Sequence, residues 1–170
     1  WDVDDALVED LLKRLRQIDW QARDAIDLLW ETPSVMARFQ DTGRVSLQAC
    51  QDVGLVGPAA RACGAKLDVR ADHRFGYVAD GPEPAYATDT GDAYARAYVR
   101  WLEIERAMKF AQDQLQALPE GPVSAEVGPL EPEQIAVSLV EGWRGEICHT
   151  AVTDAEGRFE SYKIVDPSFH

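Results

Sequence analysis

The hydrophobic spacing of this chain changes once, and that change limits the folds available to it. Between residues 1 and 30, and again between residues 91 and 121, apolar side chains recur at every third or fourth position. This is the spacing of one face of an α-helix, so we predict two long helices. Their apolar stripes consist of Leu7, Leu11, Leu15, Ile18, Ala22, Ile26 and Leu29, and of Tyr94, Ala97, Tyr98, Trp101, Met108 and Leu115.

After Pro132 the pattern becomes that of strands. Three runs rich in β-branched and aromatic residues, "IAVSLVEG", "EICHTAVTD" and "RFESYKIVD", are separated by turn residues, and "DAEG" is a hairpin signal. Two long antiparallel helices followed by a small C-terminal antiparallel sheet make an α+β fold. We expect a helical part over 1–121, with a long ordered loop over 66–90, and a β part over 122–170.

Charge and cysteine content narrow the classes of function. The 170 residues carry 30 acidic and 17 basic side chains, a net charge of −13. Such a surface repels phosphate backbones, so no nucleic-acid partner is expected. The three cysteines form no CxxC pair, which favours a reducing compartment. No apolar run reaches the roughly 18 residues of a membrane-spanning helix.

The sequence lacks two common site patterns, a phosphate-binding loop and a cluster of metal-binding histidines. The stretch "GLVGPAARACGAK" resembles a phosphate loop, but Gly57 and Gly64 are too far apart and no hydroxyl follows the lysine. The three histidines lie far apart and lack the spacing of metal ligands. We therefore expect neither a phosphate loop nor a histidine metal site.

A row of charged residues marks one side of the second long helix. Asp92, Arg96, Arg100 and Glu103 recur at steps of four, four and three residues, beside aromatic side chains. Two interpretations stay open at this point. The row is either a solvated face laced with ion pairs or a partly buried ionic chain, which is costly unless every member is paired.

The segment "EGWRGE", residues 141–146, raises a second question. It sets one arginine between two glutamates in a predicted turn flanked by glycines. Arg144 either balances these carboxylates or is directed at something else.

Several stretches taken together resemble one superfamily. In order, they are "GLVGPAARACG", "DVR", "GDAYARAYVRWLEIE", "LPEGPV", "EGWRGE" and "YKIVDPSFH". They resemble the large subunits of nickel–iron hydrogenases and the D (49-kilodalton-type) chain of NADH:quinone oxidoreductase. Within this superfamily the chain resembles in particular the membrane-bound, energy-converting hydrogenases and formate hydrogenlyases. The likeness runs from about residue 28 to residue 170.

The resemblance implies an oxidoreductase subunit longer than this chain. Hydrogenase relatives bind a nickel–iron centre through two CxxC pairs, one near each end of the subunit, and neither pair is present here. We therefore expect an internal-to-C-terminal segment that binds no cofactor alone. The implied partners are a small subunit with an iron–sulfur cluster and membrane-arm subunits. The implied location is peripheral, on the cytoplasmic face of the membrane, and we expect the isolated segment to be inactive and to self-associate.

The resemblance also assigns candidate roles. Many hydrogenases carry Glu-Ala-Pro-Arg-Gly before a strand, with the arginine over the metal centre, and Glu141, Arg144 and Gly145 match this segment. Gly142-Trp143 replaces Ala-Pro. The quinone-reducing relatives commonly have lysine at the arginine position, which favours the hydrogenase interpretation. Arg144 is then the catalytic arginine, and Glu141 and Glu146 are proton-relay candidates.

Alternatives remain within the same superfamily. The chain could belong to a quinone-site D-type subunit, or to a cofactor-free scaffold that couples redox and membrane subunits. The resemblance also implies that the row Asp92, Arg96, Arg100 and Glu103 is a buried ionic network that couples the redox site to the membrane arm.

Overall fold

The structure, a computed structural model, describes residues 3–73, 84–86, 89–119, 121 and 124–168. It confirms the α+β fold: six helices precede a three-stranded sheet in the described part of the chain. The first long helix, α1, spans Asp5–Glu31. The side chain of Asp4 accepts a hydrogen bond from the Leu7 amide and so caps the helix start. The helix ends at Thr32, because the following Pro33 disfavours helical geometry there.

The second long helix, α6, spans Ala93–Gln116 and runs antiparallel to α1. The pairing is visible at two levels along the helices. Trp30 near the end of α1 packs edge-on against Tyr94 and Tyr98 near the start of α6. Further along, Arg23 of α1 pairs with Glu105 of α6 at 2.6 Å.

Four short helices connect the long ones. They are α2 (Pro33–Phe39), α3 (Leu47–Asp52), α4 (Gly57–Ala62) and α5 (Val69–Asp72). The predicted loop over 66–90 contains α5, which the sequence pattern does not indicate; residues 74–83 and 87–88 of that loop lie outside the described residues. α4 packs its Ala62 against Ala95 and Val99 of α6, which places α4 at the centre of the small core.

The sheet has the order β1-β2-β3 and is antiparallel throughout. Its strands are β1 (Ile135–Gly142), β2 (Gly145–Thr153) and β3 (Phe159–Val165). In the register of β1 and β2, Glu141 faces Glu146 and Gly142 faces Gly145, so Trp143 and Arg144 form a two-residue turn. The segment "EGWRGE" is therefore the tip of the β1–β2 hairpin.

Much apolar surface is open to solvent. The accessible surface is 11884 Å² for an 18.9 kDa chain, whereas a compact monomer of that mass exposes about 8300 Å². The sheet contributes strongly: Ile135, Val137 and Ile164 are each more than half exposed. Among the described helices, none combines the length and the apolar composition that a bilayer crossing requires.

Candidate functional site

A buried ionic network occupies the junction of α4, α5, α6 and β1. Its centre is Arg61 of α4, whose side chain is 1% exposed. One guanidinium nitrogen, Nη1, donates hydrogen bonds to Asp68 and, at 3.0 Å, to Glu141 of β1. The other, Nη2, donates to Glu103 of α6 at 3.0 Å. One arginine thus contacts carboxylates from three separate parts of the chain.

A second arginine completes the network. Arg70 of α5 donates from Nε and Nη2 to the two oxygens of Asp68, at 2.9 and 2.7 Å. Its Nη1 and Nη2 also donate to Glu103, each at 2.9 Å. Asp68 caps α5 by accepting a hydrogen bond from the Arg70 amide. The Asp68 carboxylate therefore both caps α5 and binds the side chain of Arg70 on that helix.

Two backbone amides also donate hydrogen bonds to the glutamates of the network. The Val69 amide donates to Oε2 of Glu141 at 3.4 Å, and the Ala85 amide donates to Oε1 of Glu103 at 2.9 Å. Both glutamates are largely buried, with side chains 5% and 12% exposed. Buried charges are tolerated only when paired and hydrogen-bonded in this way.

The network contains three carboxylates and two guanidinium groups, so one negative charge is in excess. Burial raises the pKa of Glu141 above its ordinary range; the hydrogen bond and charge of Arg61 lower it and the charge of Asp68 raises it, but burial is the largest effect. Burial also acts on Asp68 and Glu103, but hydrogen bonds and charge from Arg70, with help from Arg61, lower the pKa of both. Glu141 is therefore the carboxylate of this network that most readily holds a proton.

A cleft of about 360 Å³ opens beside the network. Its wall combines the charged network with apolar side chains of α6 and the hairpin. The Nε atom of Arg61 is buried and has no hydrogen-bond partner in the described part of the chain. The lining residues are Pro58, Arg61, Arg70, Glu103, Ile104, Ala107, Met108, Glu141, Gly142 and Trp143.

Arg144 lies at the hairpin tip and does not balance the neighbouring glutamates. Its side chain is exposed, and no ion pair joins it to a carboxylate of the described residues. Glu146 is exposed as well, on the far side of the turn. Arg144 lies near enough to Asp166 to contribute to the lowered pKa of that carboxyl, after the larger effect of Ser168.

The turn is held by close backbone contact with α4. A Cβ atom built on Gly57, the first residue of α4, would lie 2.3 Å from Cα of Gly145 and 2.4 Å from the carbonyl oxygen of Arg144. Gly57 has φ +65°, in the left-handed region that favours glycine. The absence of a side chain at residue 57 therefore permits the hairpin tip to lie directly on α4.

The row on α6 is divided among different partners. Asp92 caps α6 and accepts from the amides of Asp41 and Ala95, and Arg96 donates to the carbonyls of Gly43 and Gly91. In the described residues the side chains of these two form no ion pair with each other or with Glu103, which belongs to the network around Arg61.

Arg100 stands apart from both groups. It is half-buried and donates to the carbonyl oxygen of Arg96, and no carboxylate of the described residues pairs with it. Burial lowers the pKa of Arg100, and the charges of Arg96 and Arg144 lower it further. The row is thus not one continuous ionic chain within the part of the molecule that the structure describes.

Hydrophobic and charge spacing does not reveal three members of the network, namely Arg61, Asp68 and Arg70. The sequence does carry a signal for them, because they lie in "GLVGPAARACG" and "DVR", two stretches that carry the family resemblance. The two arginines pair with Glu103 and Glu141, which lie 33 to 80 residues further along the chain. The periodicity of a helix or strand gives no information about contacts between residues so far apart in the sequence.

The residues present do not fit a nickel–iron centre on their own. Cys50 and Cys63 are buried in a small apolar cluster and Cys148 lies on β2, and the sequence has no CxxC pair. The described residues contain no group of three or more side chains placed to hold a metal ion.

Comparison with known proteins decides the family. Residues 1–132 match the family described as respiratory-chain NADH dehydrogenase, 49 Kd subunit. The chain belongs to this family. It is 30% identical over 170 residues to a carbon monoxide-induced hydrogenase of Rhodospirillum rubrum, covering 99% of this chain and 47% of the relative. It is 28% identical over 171 residues to the D-type subunit of the NADH-quinone oxidoreductase of Desulfotalea psychrophila, covering 99% and 46%.

Formate hydrogenlyase subunit 5 of Escherichia coli is 31% identical over 151 residues, covering 86% of this chain and 26% of that protein. The relatives of this chain are thus named both as hydrogenases and as subunits of NADH-quinone oxidoreductase. The chain spans about half or less of the length of these curated relatives.

The fold agrees with this assignment. A chain in the structure of the membrane-bound sulfane sulfur reductase, an archaeal respiratory membrane complex, superposes with a TM-score of 0.86 at 23% identity. The match covers 96% of this chain and 46% of the other. The helices and the small sheet are therefore arranged as in about half of a larger respiratory subunit.

Proposed function

We propose that this chain is part of the catalytic large subunit of a membrane-associated, nickel–iron-hydrogenase-like complex. The complex interconverts hydrogen and protons, and the subunit works beside a small subunit that carries an iron–sulfur cluster. It lies on the cytoplasmic face of the membrane and contacts membrane-arm subunits. The relatives named as carbon monoxide-induced hydrogenase and formate hydrogenlyase support this proposal.

One observation carries the proposal. Glu141 and Arg144 lie three residues apart on one hairpin. Glu141 accepts a hydrogen bond from Arg61 in a buried ion pair. Arg144 is exposed, and no carboxylate of the described residues pairs with it. An arginine placed to balance Glu141 would bond to it. Because Arg144 does not, its guanidinium is available to a group outside the described residues.

The metal centre of such an enzyme would be held by residues outside this chain. Four thiolates are required, and no CxxC pair is present. A bound nickel–iron centre would supply the hydride chemistry. The role of this chain is to surround that centre with donors and proton carriers.

Arg144 supplies a rigid fork of N–H donors that stabilises negative charge developing beside it. Glu141 accepts and releases a proton, because its burial raises its pKa and so favours the protonated form. Glu146, exposed at the start of β2, is the candidate that passes the proton to solvent.

A second candidate function is supported by the family match. The family is named for NADH dehydrogenase, and the D-type subunit from Desulfotalea psychrophila aligns over nearly the whole chain. In that case the same fold borders a quinone site, and Arg144 is a neighbour of the quinone or a structural residue. A cofactor-free scaffold subunit would share the fold but neither activity.

Two measurements separate these functions. The sequence of the natural polypeptide is determined before Trp1 and after His170, and nickel is quantified in the purified complex. The hydrogenase proposal expects a CxxC pair on each side and nickel in proportion to the subunit. A polypeptide without these pairs and without nickel contradicts it, and quinone-dependent turnover then separates a quinone-site subunit from a scaffold.

A further inference from the structure

Gly57 and Gly145 meet backbone to backbone, 88 positions apart in the sequence. The built Cβ of Gly57 lies 2.3 Å from Cα and 2.6 Å from the nitrogen of Gly145. From the other side, a Cβ on Gly145 lies 2.8 Å from Cγ2 of Val56 and 3.0 Å from the nitrogen of Gly57. Both glycines have positive φ, +65° and +137°. Neither residue has room for a side chain while the two backbones stay in contact.

This contact fixes the turn that carries Arg144 at one end. Its other end is fixed by the ion pair between Glu141 and Arg61. Arg61 and Gly57 belong to the same short helix, α4, so one rigid element holds both ends of the hairpin tip. α4 is itself anchored to α6 through Arg61 and Glu103. The position of Arg144 is thus determined by α4 rather than by the hairpin alone.

We propose that Gly57 is a positioning residue for Arg144. This inference rests on the proposed function, because it assigns to Gly57 the task of setting where the Arg144 guanidinium is held. The residue takes no part in the chemistry. It acts by having no side chain, which lets the Arg144 carbonyl lie against the start of α4.

The consequence of a side chain at residue 57 is specific. The atoms that an alanine Cβ would meet are backbone atoms of Arg144 and Gly145, which cannot rotate away. The turn must move by about an ångström, and misplacement on that scale costs on the order of 100-fold in rate when the displaced group acts on the reacting atoms. We expect Gly57→Ala to reduce turnover of the intact complex by about 10- to 100-fold.

The chain offers a matched control. Gly54 has φ +69°, so alanine there carries the same backbone strain, but nothing lies within 4 Å of its built Cβ. The experiment compares turnover of the intact complex for wild type, Gly57→Ala and Gly54→Ala, with subunit content and melting temperature measured for each. Turnover is hydrogen-dependent dye reduction or, in the quinone-site alternative, quinone reduction.

The same comparison is made in an Arg144→Gln background. If Gly57 acts through Arg144, Gly57→Ala lowers turnover strongly in wild type and by less than about twofold once Arg144 is replaced. Equal losses in both backgrounds, or a loss no larger than that of Gly54→Ala, would overturn the inference. If Arg144→Gln itself leaves turnover unchanged, the proposed role of Arg144 fails and the inference about Gly57 fails with it.

A second variant covers the case in which Gly57→Ala prevents assembly. Gly145→Ala directs its Cβ at Cγ2 of Val56, at 2.8 Å, and at the backbone nitrogen and Cα of Gly57, at 3.0 and 3.1 Å. Shortening Val56 relieves the first of these contacts. We expect Val56→Ala to restore part of the turnover lost by Gly145→Ala, with assembly equal in both. Full turnover of the Gly145→Ala variant with Val56 intact contradicts the proposed contact.

Discussion

Arg61 and Glu141 are 80 residues apart in the chain and form a buried ion pair with 3.0 Å between Nη1 and Oε1. This pair joins the helical part to the sheet, because Arg61 lies on α4 and Glu141 on β1. It also joins the hairpin tip to the rest of the network. The relationship explains how a hairpin with little covered surface is nevertheless held in a defined place.

Removing the centre of the network should destabilise the fold strongly. Arg61→Met leaves three buried carboxylates with a single guanidinium, and breaking a buried ion pair in this way costs about 3–5 kcal/mol. The free energy of unfolding, measured with urea on the intact subunit, checks this. The matched control is Arg158→Met, which removes an arginine that is 73% exposed and pairs at the surface with Asp154 at 3.7 Å and with Glu156 at 3.3 Å. Comparable losses in the two variants would show that the network contributes no special stability.

The pH dependence of stability should report the protonation of Glu141. Burial raises its pKa above the ordinary 4.5. A carboxyl whose pKa rises on folding contributes stability that is fully present below pH 4.5 and is lost as the pH rises through the folded pKa. We therefore expect Glu141→Gln to flatten the fall in unfolding free energy above pH 4.5.

Asp68 and Glu103 act in the opposite sense. The pKa of each is lowered in the fold, so their stabilisation is present above the ordinary values of 3.8 and 4.5 and is lost as the pH falls through the folded values. Glu141→Gln should leave this loss of unfolding free energy at low pH unchanged. Glu146→Gln, at an exposed position paired across the strands with Glu141, is the control variant. A flat profile above pH 4.5 in the wild-type protein would contradict the assignment.

Much of the fold can be predicted from the sequence, because its long elements have strong periods. α1, α6 and the three strands follow directly from hydrophobic spacing, and the "DAEG" turn follows from local chemistry. α5 does not, since four residues cannot show a period. Its cap, Asp68, becomes visible as a helix start only once Arg70 and Glu103 are known to lie beside it.

The candidate site is only partly predictable for a physical reason. Arg96, Arg100 and Glu103 share α6 and Asp92 caps it, as the spacing indicates. Spacing within one helix nevertheless does not specify which element approaches each side chain. Glu103 meets α4 and α5, whereas Arg96 meets the carbonyl of Gly43. The resemblance points to Glu141 and Arg144, but only the structure shows that one is buried and paired while the other is exposed.

Replacing Arg96 should lower the stability of the fold, whereas replacing Arg100 should affect turnover or pumping and not stability. Arg96 donates hydrogen bonds to the carbonyls of Gly43 and Gly91, so Arg96→Met should cost about 1–3 kcal/mol of unfolding free energy. Arg100 has no carboxylate partner in the described residues, so Arg100→Met should change stability little. If the row couples the redox site to the membrane arm, Arg100→Met lowers pumping or turnover of the full complex. Unchanged turnover and pumping would count against that coupling role.

The open faces of the sheet should make the isolated 170-residue chain self-associate. Ile135, Val137 and Ile164 are 70%, 61% and 55% exposed, and apolar surface of this extent is normally covered by a partner. Gel filtration at high concentration checks this expectation. We expect elution above the monomer mass and a shift toward monomer for Ile135→Ser combined with Ile164→Thr. A clean wild-type monomer would refute the expectation.

The measurement that tests the central claim most directly is hydrogen turnover of the intact complex carrying Arg144→Lys. Lysine keeps the positive charge but removes the planar fork of donors. Because Arg144 has no ion pair with the described residues, the fold should not depend on it, and assembly, nickel content and melting temperature should match the wild type. We predict a loss of turnover of about 100-fold, the scale seen when one preorganised donor is removed from a site of developing charge. Full turnover with unchanged nickel content would contradict the account.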